Sequence, residues 1–177
     1  RELVQNAHDS IIRRRIEQPG MQCVSRIDVQ VDAAAGVLRI TDTGAGLTRQ
    51  EIHDYLATVG VGYTRGLRQE GEDNDGLIGM FGLGFLSAFV LARRVSVRTT
   101  SYQAPELGHL YVSSNAEQYT VSDVPARAIG TEVELELHPD FLPLANEARL
   151  HEVLGRYCAL LSEPIFIGAA ATAINPE

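Results

Sequence analysis

Ile40-Thr41-Asp42-Thr43-Gly44-Ala45-Gly46 is an apolar strand that runs straight into an aspartate and two glycines. Upstream, Ile27-Asp28-Val29-Gln30-Val31 and Val37-Leu38-Arg39-Ile40 both alternate and are joined through residues 32–36, which predicts a β-hairpin with one buried face. Further back, Leu3, Ala7, Ile11 and Ile12 fall at helical spacing over residues 1–17, and Pro19-Gly20 ends that helix. Downstream, residues 47–59 read as a helix, with Thr48 at the N-cap and Glu51 as its capping-box partner. Residues 60–84 then hold eight of the 16 glycines, a density that predicts a mobile segment rather than a core element. An apolar helix over 85–92 precedes strands at 95–100, 110–113, 118–121 and 131–137. A helix over 147–161 and a strand at 165–167 close the pattern. The layout is α+β: helices over one face of a mostly antiparallel sheet.

The 177 residues carry 15 basic and 23 acidic side chains, a formal charge of −8. That length suits one domain over 1–177, since chains of ~100–200 residues usually build a single core. The chain opens at Arg1 inside the helical pattern, so it reads as a fragment of a longer protein. No apolar run approaches the ~20 residues of a membrane span, and no basic-then-apolar leader is visible. The acidic balance argues against a general nucleic-acid coat. Cys23 and Cys158 are too few for a metal cluster, and a cytoplasmic location is the default expectation. All 15 basic residues are arginine. Without lysine there is no Schiff base and no phosphate loop ending in Gly-Lys-Ser/Thr.

Four constellations could carry chemistry. Glu2 and Asn6 are four apart on the first helix and share a face, with Asp9 three residues further on. That pattern sets a carboxylate beside a metal-ligating amide oxygen, and it is equally the pattern of a solvated helix face. Asp42, with Gly44 and Gly46, could receive a base amine beside a backbone open to a ligand, or simply form a turn. Gly79-Met80-Phe81-Gly82-Leu83-Gly84-Phe85 precedes a helix, where successive backbone N–H groups can converge on an anion. It does not follow a strand, as a dinucleotide fingerprint requires. Gly130-Thr131 opens a strand and means little alone. Arg13-Arg14-Arg15 reads as a solvated helix end favourable to the macrodipole, Cys158 as core, and the five histidines show no zinc spacing.

In this order the four constellations resemble the split ATPase site of the GHKL superfamily, which includes gyrase, heat-shock protein 90 chaperones, histidine kinases and mismatch-repair ATPases. The resemblance runs from Arg1 to about Ile167. The run Ile78-Gly79-Met80-Phe81-Gly82-Leu83-Gly84-Phe85-Leu86-Ser87-Ala88-Phe89 looks most like the chaperones. It implies a two-layer α/β sandwich, the Bergerat ATP-binding fold, as the N-terminal domain of a chaperone. It further implies that Glu2 deprotonates the attacking water, that Asn6 ligates Mg²⁺, and that Asp42 binds the adenine amine. Gly46 and Thr131 would complete the base pocket, and Gly82, Leu83, Gly84 and Phe85 would offer N–H groups to the phosphates of ATP or ADP. Asp9, Leu47 and Gly79 fall among the implied nucleotide contacts, and residues 60–78 would be a lid. The chaperones generally carry a lysine and Ser-Gly-Thr at the start of that lid. Val61-Gly62-Tyr63-Thr64 stands here instead, with Arg65 and Arg68 as the nearest cations. Implied partners are adenine nucleotide and, through a full-length homodimer, unfolded client proteins, with this fragment itself a monomer. Neither membrane nor nucleic acid is expected as a partner. The alternatives are a GHKL ATPase of DNA repair or topology, and a switch module that binds ATP without hydrolysing it.

Overall fold

A computed structural model describes residues 1–22, 24–56, 83–115, 117–170 and 172–175. The first helix, α1 (Glu2–Glu17), buries Leu3, Val4, Ala7 and Ile11 along one stripe, as the spacing predicts. The hairpin follows as β1 (Ile27–Asp32) and β2 (Val37–Asp42), paired antiparallel with Val29 opposite Ile40. Strand β2 reaches Asp42, two residues past the predicted end, because pairing with a later strand continues to that point.

A short helix α2 (Arg49–Glu51) runs on as a π-helix over Ile52–Leu56. Its capping box is formed: the Glu51 N–H donates to the Thr48 hydroxyl, and the Thr48 N–H donates to the Glu51 carboxylate. The helix expected over 47–59 is therefore present at its start, while residues 57–59 lie outside the described residues. Then come α3 (Leu83–Leu91), β3 (Ala92–Thr100), β4 (Gly108–Ser113), β5 (Tyr119–Val124) and β6 (Gly130–Leu137). A 3-10 turn (Pro139–Leu144), α4 (Glu147–Cys158) and β7 (Ile165–Ile167) complete the order. Strand β3 starts three residues before the predicted 95, directly out of α3, and α4 stops at Cys158 rather than 161. Asn146 caps α4 by accepting from the Arg149 N–H.

The sheet has seven strands in the order β5-β4-β3-β6-β2-β1-β7. Every pairing is antiparallel except β1 with β7. The period-2 pattern sorts its faces. Inward rows run across the strands: Leu38, Leu135 and Val95 in one, and Ile40, Val133, Val97 and Tyr111 in the next. Helices α1, α3 and α4 bring Leu3, Ala7, Ile11, Phe85, Ala88, Leu150, Leu154 and Cys158 into the same core. The outward face instead pairs Arg39 with Glu134, Arg98 with Glu132, and Arg94 with Glu136. One apolar face under helices and one solvated face make the expected two-layer α+β fold. Among the described residues no helix is long and apolar enough to cross a membrane.

Candidate functional site

The inward rows of the sheet turn polar at one end. Asp42 of β2 lies opposite Thr131 of β6, Thr131 opposite Thr99 of β3, and Thr99 opposite His109 of β4. All four are buried. Polar groups taken out of water need partners, and this row shows where they are. The Thr99 hydroxyl donates to the Gly130 carbonyl, shares a hydrogen bond with the Thr131 hydroxyl at 2.9 Å, and accepts from the Leu47 N–H at 2.8 Å. Thr99 thus fixes two residues expected to touch nucleotide, yet nothing in its own sequence context marked it. Only the cross-strand register does.

Asp42 is 8% exposed, and its Oδ1 accepts from the Gly44 N–H at 2.8 Å. Burial pushes its carboxyl up to about 7, while the backbone N–H groups of Gly44 and Thr131 pull it partly back. A small cavity of about 10 Å³, lined by Leu3, Asn6, Ala7, Ile40, Asp42, Phe85, Thr131 and Val133, lies against it. Asn6, also 8% exposed, has a side-chain nitrogen buried there without a hydrogen-bond partner. A buried amide left unsatisfied costs ~1–3 kcal/mol, and such a group commonly marks a place where a ligand completes the set.

The fold therefore brings Asn6, Asp42, Phe85 and Thr131 together around one cavity. Glu2 sits one turn before Asn6, exposed at the start of α1. Asp9 is turned aside: it accepts from Gln5 at 2.8 Å, Gln5 accepts from Tyr157 of α4, and Asp9 does not line the cavity. Gly46 and Leu47 are buried beside the row rather than in the cavity lining. Leu83 and Gly84 form the first turn of α3. Gly79, Gly82 and the predicted lid over 60–78 lie outside the described residues.

The glycines of the Asp42 loop serve a purpose the sequence did not suggest. A Cβ on Gly44 would overlap Ser10 of α1, and one on Gly46, at φ +68°, would overlap the Thr100 carbonyl. They let a helix and a strand approach the loop. Ser10 then accepts the Ala45 N–H with its hydroxyl and its carbonyl, each at 3.1 Å. Ser10 was also missed, although its place four residues after Asn6 on the helix was the available signal.

A divalent cation is implied only by the resemblance. The described residues hold no cluster of three or more His, Cys, Asp or Glu side chains. A hard cation of the Mg²⁺ type commonly takes only one or two protein oxygens, with phosphates and water completing the shell. The Asn6 amide oxygen would be the single protein ligand in that limited role, while its nitrogen, the atom left without a partner, calls for a hydrogen-bond acceptor instead.

The architecture, a mostly antiparallel sheet with helices over one face, is that of the GHKL ATP-binding domains. A family model described as "Histidine kinase-, DNA gyrase B-, and HSP90-like ATPase" matches residues 1–138, and the chain belongs to that family. It is 32% identical over 94% of its length to "Heat shock protein 75 kDa, mitochondrial" of Bos taurus, covering 25% of that protein. It is likewise 32% identical over 94% of its length to "Chaperone protein HtpG" of Actinobacillus succinogenes, covering 28%. With HtpG of Chlorobium luteolum the identity is 31% over the same share. The chain spans about a quarter of the length of the curated relatives it matches.

Proposed function

We propose that this chain is the ATP-binding and ATP-hydrolysing domain of a heat-shock protein 90-like chaperone. The buried Asp42 carboxyl, facing a cavity it shares with the unpartnered Asn6 amide, carries that reading. Asp42 accepts the amine of an adenine base, and Thr131 lies beside it in the same wall. Asn6 would supply the protein oxygen to Mg²⁺, which when bound would neutralise phosphate charge. Glu2, one turn earlier on α1, takes the proton of the attacking water. The first turn of α3, with Leu83, Gly84 and Phe85, presents backbone N–H groups to phosphate. One relative is named a heat-shock protein and another a chaperone protein, which supports a chaperone role for the full-length protein; client binding, lid-driven cycling and a homodimer are part of this reading.

The test is calorimetric titration of ADP into wild-type protein and Asp42→Asn. Losing a charged acceptor and leaving a donor unsatisfied removes roughly 1.5–3 kcal/mol, so affinity should fall at least about tenfold. Equal affinity in a folded variant takes Asp42 out of the site.

A further inference from the structure

Arg13, Arg14 and Arg15 do not form the solvated helix end that their sequence suggested. Successive helical residues point about 100° apart, and the three guanidinium groups diverge to separate anchors. Arg13 pairs with Glu51 of the capping box at 2.6 Å and donates to Glu17 at 3.0 Å. Arg15 forks onto Glu163, a carboxylate that is 1% exposed. Arg14 goes inward.

Arg14 is only 7% exposed. Its Nη1 donates to the Thr43 carbonyl at 3.0 Å and its Nε to the Gln18 side-chain oxygen at 3.1 Å. Both partners are neutral, and among the described residues no carboxylate lies within ion-pair distance. A cation held this deep by neutral oxygens is costly to keep, and an apolar side chain would fill the place more cheaply. What the guanidinium offers is direction, because its donors lie in one rigid plane.

The direction is informative. Asn6, Ser10 and Arg14 follow one another at i, i+4 and i+8 along the buried face of α1. Asn6 shares the cavity with Asp42, Ser10 accepts from Ala45, and Arg14 donates to Thr43. The helix that carries Glu2 and Asn6 is thereby tied to the loop that carries Asp42. Thr43 is held from its other side as well: its hydroxyl accepts the Arg26 N–H at 3.0 Å, and its own N–H donates to the Arg26 carbonyl at 3.3 Å. Arg14 takes the remaining backbone acceptor, the Thr43 carbonyl, and completes the grip on the residue next to Asp42.

We propose that Arg14 is a positioning residue of the nucleotide site, setting through the Thr43 carbonyl the aim of the Asp42 carboxylate at the base. This rests on the adenine reading of Asp42 given above. It predicts a loss of base discrimination, not merely of stability.

The experiment compares ADP with inosine diphosphate, whose base lacks the amine, in the full-length protein and in Arg14→Met. The wild type should prefer ADP on the order of ten- to a hundredfold, the worth of one charged hydrogen bond. In Arg14→Met that preference should fall by about tenfold, with ADP affinity lowered by about that factor and inosine diphosphate affinity nearly kept. A purely structural role would lower the folded fraction and both affinities alike, leaving the ratio unchanged. An unchanged ratio in Arg14→Met overturns the role of Arg14 while the adenine reading stands. A wild type without preference for ADP overturns the adenine reading, and this role with it. If Arg14→Met does not fold, Gln18→Ala, at the end of α1, frees the same guanidinium. It should lower the ratio about threefold, and a full ratio there also overturns the proposal.

Discussion

Asp42 is a buried carboxyl whose ordinary acidity is undone by its surroundings. Its value in the folded protein, about 7, stands above the 3.8 of an exposed aspartic acid. The folded chain therefore keeps this proton where the unfolded chain has released it. The stabilising contribution is complete below about pH 4 and is lost as the pH rises through about 7, an effect of the order of 4 kcal/mol. Urea midpoints at pH 5 and pH 8 should show the wild type losing stability relative to Asp42→Asn, which has no proton to lose there. Parallel pH curves for the two proteins would contradict the burial argument. If Asp42 receives the base amine, ADP affinity should have the opposite slope: an ionised carboxylate is the better acceptor, so titrations should show binding weakening below about pH 7. Gly46 sets a second limit at this scale. Its φ of +68° and the Thr100 carbonyl beside it leave no place for a methyl group, so Gly46→Ala should destabilise the fold by about 2–4 kcal/mol in chemical unfolding. A Gly46→Ala midpoint equal to the wild type's would mean that the loop can move away from β3. The two glycines after Asp42 were visible in the sequence, but what they approach was not, because Ser10 and Thr100 are distant in the chain.

Elements whose signals are local came through with small changes. The capping box of Thr48 and Glu51 is one such signal, since both partners lie within four residues. The structure adds that Glu51 is also the carboxylate reached by Arg13 of α1, so one side chain both caps α2 and ties it to α1. Removing the Thr48 hydroxyl should cost about 1 kcal/mol. Glu51→Gln should cost more, because it also leaves the guanidinium of Arg13, largely buried, short of a charged partner. A double-mutant cycle on Arg13 and Glu51 measures this coupling, expected to exceed the ~0.5 kcal/mol typical of an exposed helical pair. A coupling near zero would reduce Arg13 to a surface cation. Element ends were less legible than element types, for a physical reason in each case. Strand β2 extends to Asp42 because β6 pairs with it there, and β3 begins at Ala92 because β6 again supplies Leu137 as a partner. Pairing partners that lie 89 residues away for Asp42 and 45 for Ala92 leave no mark on the local pattern. The arginine triplet misled for the same reason, since Thr43, Glu51 and Glu163 are not its neighbours in sequence.

At the scale of the whole molecule, the sheet divides chemistry between its faces: arginine–glutamate pairs outside, an apolar core inside, and a polar row where the core ends. The order of the motifs along the chain was enough to point to this architecture, because the site is assembled from the start of α1, the end of β2 and the start of β6. The geometry of the hydrogen bonds within that row was not legible, because it depends on register. The proposed hydrolysis is to be tested at this scale, since the chain covers about a quarter of its relatives' length. Glu2 stands exposed at the start of α1, one turn from the buried Asn6, so its carboxylate can meet water. If it removes the proton of the attacking water, Glu2→Gln in the full-length protein should leave ATP affinity within about threefold and lower the hydrolysis rate on the order of 10²–10⁴-fold. A glutamate present only for its interaction with the helix dipole would instead shift stability by ~0.3–1 kcal/mol and leave the rate alone. Single-turnover measurements under saturating ATP separate the two, because they exclude product release. Wild-type rates in Glu2→Gln would assign proton removal to another group and leave Asp42 and Asn6 as a binding site alone.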